Sequence, residues 1–152
     1  MSAVEIPVEW LPRLPRRYAA TVVDGLLILA AMIVPTVVLP SDAVLIRGLR
    51  FAIAAGALLV YEPLCTGHFA TLGQWVAGVR VRRFDTGVKI GVLRAYGRIL
   101  VKAPLGFISF FSLPFTVGRR ALHDMATGSI VIMAAAEPSF LQWTKARPDA
   151  TV

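Results

Sequence analysis

Arg16-Arg17-Tyr18-Ala-Ala-Thr-Val-Val-Asp24-Gly-Leu-Leu-Ile-Leu-Ala-Ala-Met-Ile-Val-Pro35 is the stretch that decides the fold. Two arginines stand at its mouth. A run of roughly 20 apolar residues follows, long enough to cross a bilayer's hydrocarbon as a helix. One carboxylate, Asp24, interrupts it. Asp24 lies seven positions after Arg17, close to two helical turns, so both belong to nearly one helix face. At about 1.5 Å of rise per residue, Asp24 is roughly 10 Å deeper than Arg17. An ionised Asp at a helix centre costs roughly 2.5–3.5 kcal/mol on insertion scales, and less near the interface. An anchor alone has no use for such a residue. Asp24 is therefore expected to face protein or water and to meet a cation, with Arg17, Arg98 and Lys102 as candidates.

The composition around this stretch points the same way. Of the 152 residues, 57% are hydrophobic and 16% charged, whereas soluble domains are typically about 25% charged. The apolar residues are grouped in long runs, which reads as an integral membrane protein of one domain. The net charge of +7 comes from 16 Lys and Arg against 9 Asp and Glu. The basic residues flank apolar runs, a pattern that suits anionic lipid headgroups; no nucleic-acid recognition motif accompanies them, so nucleic acid is not an expected partner. The lone Cys65 cannot form an internal disulfide. The first apolar run exceeds the length of a signal-peptide core and lacks a clear cleavage site, so a retained helix is expected.

Along the chain, residues 1–15 form a proline-rich tail, 16–133 a membrane domain and 134–152 a polar, loosely ordered C-terminal tail. Helix 1 is expected from about residue 17 to about residue 39. Helix 2 is expected from Gly48 to Tyr61, closed by Glu62-Pro63. Thr71–Gly78 is short and amphipathic, with Trp75 suited to the interface. Apolar and basic residues alternate from Val79, and Gly87 supplies a turn, so residues 79–90 read as a β-hairpin. The third apolar run, Ile99 to Val117, is interrupted by Lys102, Pro104 and Pro114; it is either one kinked span or a re-entrant segment. The expected fold is thus an all-α integral membrane protein with two to three transmembrane helices, the third spanning or re-entrant, and a small cytoplasmic β-hairpin. Val79–Val81 and Ile130–Ile132 are expected to pair in one sheet, because an isolated hairpin is marginal. Arginines and lysines crowd the N-terminal flank and residues 80–94, which places the N-terminus and the hairpin in the cytoplasm of a cell-membrane protein.

Arg17 and Asp24 with Ala20 between them, Thr71-Leu-Gly73, Val79-Arg-Val81, Asp85-x-Gly87, Arg98 and Leu122-His-Asp124-x-x-x-Gly128 together resemble the RDD family, over about residues 16–133. Two positions depart from its usual pattern: Gln74 stands where many members carry lysine, and Ser129 where threonine is usual. The resemblance implies a small multi-pass membrane protein. At the family level it implies transport of an undefined ligand, with a few members behaving like sodium/proton antiporters.

No nucleophile elbow or phosphate-binding loop is present, and His68, His123 and Cys65 are too few for a zinc site. The chain is expected to be no enzyme, with no catalytic residue, metal or cofactor. His123 and Asp124 are adjacent, so on a helix their side chains should diverge by about 100°. The expected site is a polar cluster of Arg17, Asp24, Arg98 and Asp124, structural or ion-handling, with Glu62, Lys102 and His123 around it. Arg98 is expected to meet Glu62 or Asp24, and Asp124 to meet Arg17 or Arg119. Two or three short segments cannot enclose a wide path, and no internal repeat is visible. The functional expectation is an ion or small-solute transport component working as a homo-oligomer or beside a larger membrane protein. The alternative is a non-transporting assembly or accessory subunit.

Overall fold

The computed structural model describes residues 6–146 apart from 41, 106–107, 109–111, 113–114 and 117. It is mostly helical. Helix α1, Leu14–Val38, starts with Pro15 in its first turn, where the missing N–H is no loss. Helix α2, Val44–Gly56, runs through a π-helical turn, Ala57–Tyr61, into α3, Glu62–His68. These three pieces make one helix of 25 residues, Val44–His68. The sequence closed this helix at Glu62-Pro63, and the structure corrects that. The wider bonding of the π turn resets the ladder, so Pro63 falls in a first-turn position it can occupy.

Both long helices are apolar and long enough to cross a membrane; 25 residues span about 37 Å against roughly 30 Å of hydrocarbon. Their most apolar stretches are hardly buried: Leu26, Leu29, Val37, Leu45 and Phe51 all stand exposed. Packing is instead concentrated at one end. There α1 meets the five-residue helix α4, Leu72–Val76, and α3 meets α5, Val92–Leu105.

The sheet has two strands. β1, Val79–Arg83, pairs antiparallel with β2, Ser129–Met133, with Val81 opposite Val131. The expected local hairpin shrinks to a single bridge, Arg82 to Lys89, with bonds from Arg83 N–H to the Val88 carbonyl at 2.8 Å and from Gly87 N–H to the Arg83 carbonyl at 3.0 Å. Gly87 and Gly91 both take positive φ, and Ile90 between them is buried with Val79 and Val81. The chain therefore turns into α5 instead of extending a second arm. On one sheet face Val79, Val81 and Val131 pack with Ala20 and Ala95; on the other, Ile130 and Ile132 pack with Phe140, Ile6 and Leu11. β2 is covered on both faces, which explains its unbroken apolar run.

That second core draws on both ends of the chain. Trp10 packs edge-on against Phe140 and Trp143, and helix α7, Glu137–Lys145, carries the fully buried Phe140. Residues 6–12 and 134–146, expected as a surface tail and a loosely ordered tail, are thus packed on the outer sheet face. The expectation missed them because prolines hide the first segment's apolar anchors and α7 offers few apolar residues.

α5 starts before the third apolar run and sets Arg94, Arg98 and Lys102 four apart along one face. Much of 106–117 lies outside the described residues, and with it the choice between a span and a re-entrant segment.

Candidate functional site: a buried charge cluster under the sheet

Asp124 sits in α6, Leu122–Ala126, and is completely buried. Its Oδ2 accepts the backbone N–H of Ala121 at 3.1 Å, closing the first turn of its own helix. The same oxygen pairs with Arg17 Nη2, and Oδ1 lies 2.9 Å from Arg98 Nη2. Ser129 Oγ reaches Oδ1 at 3.4 Å. One carboxylate thereby joins α1, α5, α6 and β2. Arg17 also donates through Nη1 to the Arg119 carbonyl at 2.6 Å. Burial by itself would raise the Asp124 pKa; the Arg17 and Arg98 guanidinium groups outweigh it and hold the carboxyl well below the usual range.

His123 does not diverge from its neighbour as expected. Its Nε2 lies 3.5 Å from Asp124 Oδ1, because the buried imidazole is long enough to reach back within so short a helix. Burial pushes its pKa down to about 3; Asp124 opposes this, while Arg98, Lys102 and Arg17 add to it. The imidazole is neutral at pH 7, and its contact with Asp124 is not an ion pair.

Asp24 does not meet the cation expected for it. Among the described residues no arginine or lysine pairs with it. It accepts Thr71 Oγ1–H at 2.6 Å, Gly73 N–H at 2.8 Å and Tyr61 O–H at 3.2 Å. Thr71 caps α4 by accepting the Gln74 N–H at 3.1 Å, so Asp24 sits at that helix's positive end. A Cβ at Gly73 would overlap the Ala20 carbonyl oxygen and come within 2.8 Å of Asp24 Cγ. Hydroxyl and amide donors stabilise a buried carboxylate as a cation does. Thr71 and Gly73 belong to the family motif and Tyr61 to the expected helix end, but none of the three was expected as a partner of Asp24. A usable signal was present: a threonine before a short amphipathic run is a helix cap, and a glycine two residues on permits close approach.

The remaining pairs also differ from expectation. Glu62 takes Lys102, at 2.7 Å, and Arg98 takes Asp124. The four-residue repeat on α5 explains the division, since Lys102 lies one turn further along the helix, toward α3. Asp24 and Asp124 are thus held by separate partner sets, and Asp24 borders a small cavity of about 40 Å³. Arg17, Asp24, Glu62, Arg98, Lys102 and His123 all line it. Two buried polar atoms, Arg98 Nη1 and Gln74 Oε1, have no protein partner among the described residues. One is a donor and the other an acceptor, and the volume exceeds the roughly 10–15 Å³ that one ordered water needs. Among the described residues no three His, Cys, Asp or Glu side chains are grouped to hold a metal ion.

No curated protein and no solved structure matches the chain. The family model for the RDD family matches residues 11–128, a span that includes both carboxylates and both arginines of the site, and the chain belongs to that family.

Proposed function

We propose that this RDD protein is a multi-pass protein of the cell membrane, crossing with α1 and with the helix Val44–His68, its N-terminus and sheet on the cytoplasmic side. It serves as an ion or small-solute transport component, assembled as a homo-oligomer or beside a larger membrane protein. One observation carries this reading: the charged groups are buried at the end where the sheet and short helices pack, while the apolar walls of both long helices are left uncovered. Lipid or other protein must cover that apolar surface. Gly48, Ala52 and Gly56 lie four apart along α2, and no atom lies within 4 Å of a Cβ at either glycine, which leaves room for a neighbouring helix. Two helices enclose no path alone, so transport requires assembly. The purified protein in mild detergent should have the mass of an oligomer; a monomer with no co-purifying partner would overturn the assembled reading. No catalytic step, metal or cofactor is part of it.

A second reading, a non-transporting assembly subunit, is favoured by the three hydrogen bonds that satisfy Asp24. Asp24→Asn, reconstituted in vesicles, separates the two. Normal abundance with lost proton or sodium flux supports ion handling; reduced folded protein supports a packing role.

A further inference from the structure

We propose that the groove between the start of α1 and the turn at Arg119 binds the phosphate of an anionic phospholipid headgroup. The groove has a volume of about 680 Å³ and is lined by Arg13, Arg16 and Arg119, with Val8, Leu11 and Met133 as apolar wall and Glu9 the one acid. Five other basic side chains are matched by acids: Arg17 and Arg98 with Asp124, Arg82 with Glu137, Arg83 with Asp85, Lys102 with Glu62; Lys89 and Arg120 lie over the Phe69 and Phe84 rings. Among the described residues no carboxylate pairs with Arg13, Arg16 or Arg119, and the contact of Arg16 Nη1 is the Met133 sulfur at 3.6 Å. Three arginines with no carboxylate partner among the described residues thus line one groove.

The backbone at Arg119 gives the second observation. Arg119 has φ +48, the single non-glycine positive φ among the described residues. Such a residue carries a local conformational cost, and strain of this kind concentrates at binding sites. The buried cluster enforces it, since the Arg119 carbonyl accepts from Arg17 while its side chain lines the groove. The fold thus sets a third guanidinium beside the two of Arg13, which precedes α1, and Arg16, in its first turn. Guanidinium forks match phosphate oxygens two at a time. The groove is far larger than a phosphate, and its apolar wall suits the glycerol and first acyl carbons. Arg16 lies two residues before Tyr18, where the apolar run begins, so the groove is level with headgroups once α1 spans. That placement rests on the membrane reading above.

The test uses the full chain in nanodiscs of phosphatidylcholine, alone or with one-fifth phosphatidylglycerol, with native mass spectrometry of the lipids retained. The wild type should retain phosphatidylglycerol well above its share. Arg119→Gly is the decisive variant: glycine accepts the positive φ freely, so the protein should fold while losing one guanidinium. Retention should fall roughly fivefold per arginine removed, and further in Arg13→Gln/Arg16→Gln, while Arg47→Gln in the first turn of α2 should leave it unchanged. Retention in proportion to composition, or an Arg119→Gly protein equal to wild type, overturns the proposal. Displacement of the lipid by millimolar inorganic phosphate, with phosphate retained instead, assigns the groove to a soluble anion and overturns the lipid. Vesicle flotation after alkaline wash reports separately on insertion: a chain that floats without lipid preference loses the site and keeps the membrane reading, and one that washes off loses both.

Discussion

Asp124→Asn removes one charge and almost no volume from a wholly buried position. The Asn oxygen can still accept the Ala121 N–H, so the cap of α6 survives. Arg17 and Arg98, themselves buried, lose their shared counterion. Breaking a buried pair from one side costs about 3–5 kcal/mol, because the remaining charge is left uncompensated. Counting bonds gives a similar size: two charge-assisted hydrogen bonds at about 1.5–3 kcal/mol each. Against a typical total stability of about 5–15 kcal/mol, that lowers the folded-to-unfolded ratio roughly 10²- to 10⁴-fold. In a chain of this length it corresponds to about 6–20 °C in Tm. Detergent-solubilised protein, heated and read by fluorescence-detected size exclusion, measures the shift. The companion protein Arg17→Gln/Arg98→Gln/Asp124→Asn removes all three charges together and should be less destabilised than the single losses summed, because no ion is left alone. An Asp124→Asn protein within about 2 °C of wild type, or a triple variant equal to the sum, would refute the buried-triad account.

Acidification should destabilise the protein from about pH 6.5 downward. His123 holds a pKa of about 3 when folded against an ordinary 6.5, so between those values the unfolded chain binds a proton that the folded one refuses, and stability falls with pH. Asp124 adds its own loss only below about pH 4, as its depressed pKa is approached. His123→Gln should flatten the slope between pH 6.5 and 4 in the same thermal assay; an unchanged slope would assign the acid sensitivity elsewhere. Gly73→Ala should reduce the yield of folded protein sharply, since its Cβ overlaps the Ala20 carbonyl. Thr71→Val should cost about 1.5–3 kcal/mol through the lost bond to Asp24, with Thr71→Ser close to wild type. For topology, Gly87 is a poor labelling site because its φ is +70 and a Cβ would meet Thr144 Oγ1, whereas Thr86 is exposed. With Cys65→Ala, cysteine at Thr86 should resist impermeant reagent outside whole cells and cysteine at Asp42 should react; the reverse pattern would invert the orientation.

The long helices and the sheet were legible for opposite reasons. An apolar run of bilayer length has one stable form, so α1 and the helix through α2 and α3 followed from local pattern, with the proline boundary misjudged because a π turn is invisible in composition. The pairing of β1 with β2 was legible because each β-branched run lacked a local partner; the hairpin was overcalled because alternation reports which side chains are buried and not which strand covers them. The two aspartates divide in the same way. For Asp124 the sequence named an arginine partner, since Arg17 is the boundary cation on α1 and the chain returns to that boundary. For Asp24 the same rule, that a buried charge needs a partner, led to a cation and missed. A carboxylate is equally stabilised by hydroxyls and backbone amides, and backbone amides carry no letter in the sequence. The difference has a functional edge. Asp124 is held by two fixed guanidinium groups, whereas Asp24 is held by two hydroxyls and one backbone amide, beside a cavity lined by an unpartnered donor and an unpartnered acceptor. Replacing Asp124 breaks a buried ion-pair network and tests folding, whereas replacing Asp24 leaves that network in place, and this is why Asp24→Asn, and not Asp124→Asn, separates a transport component from an accessory subunit.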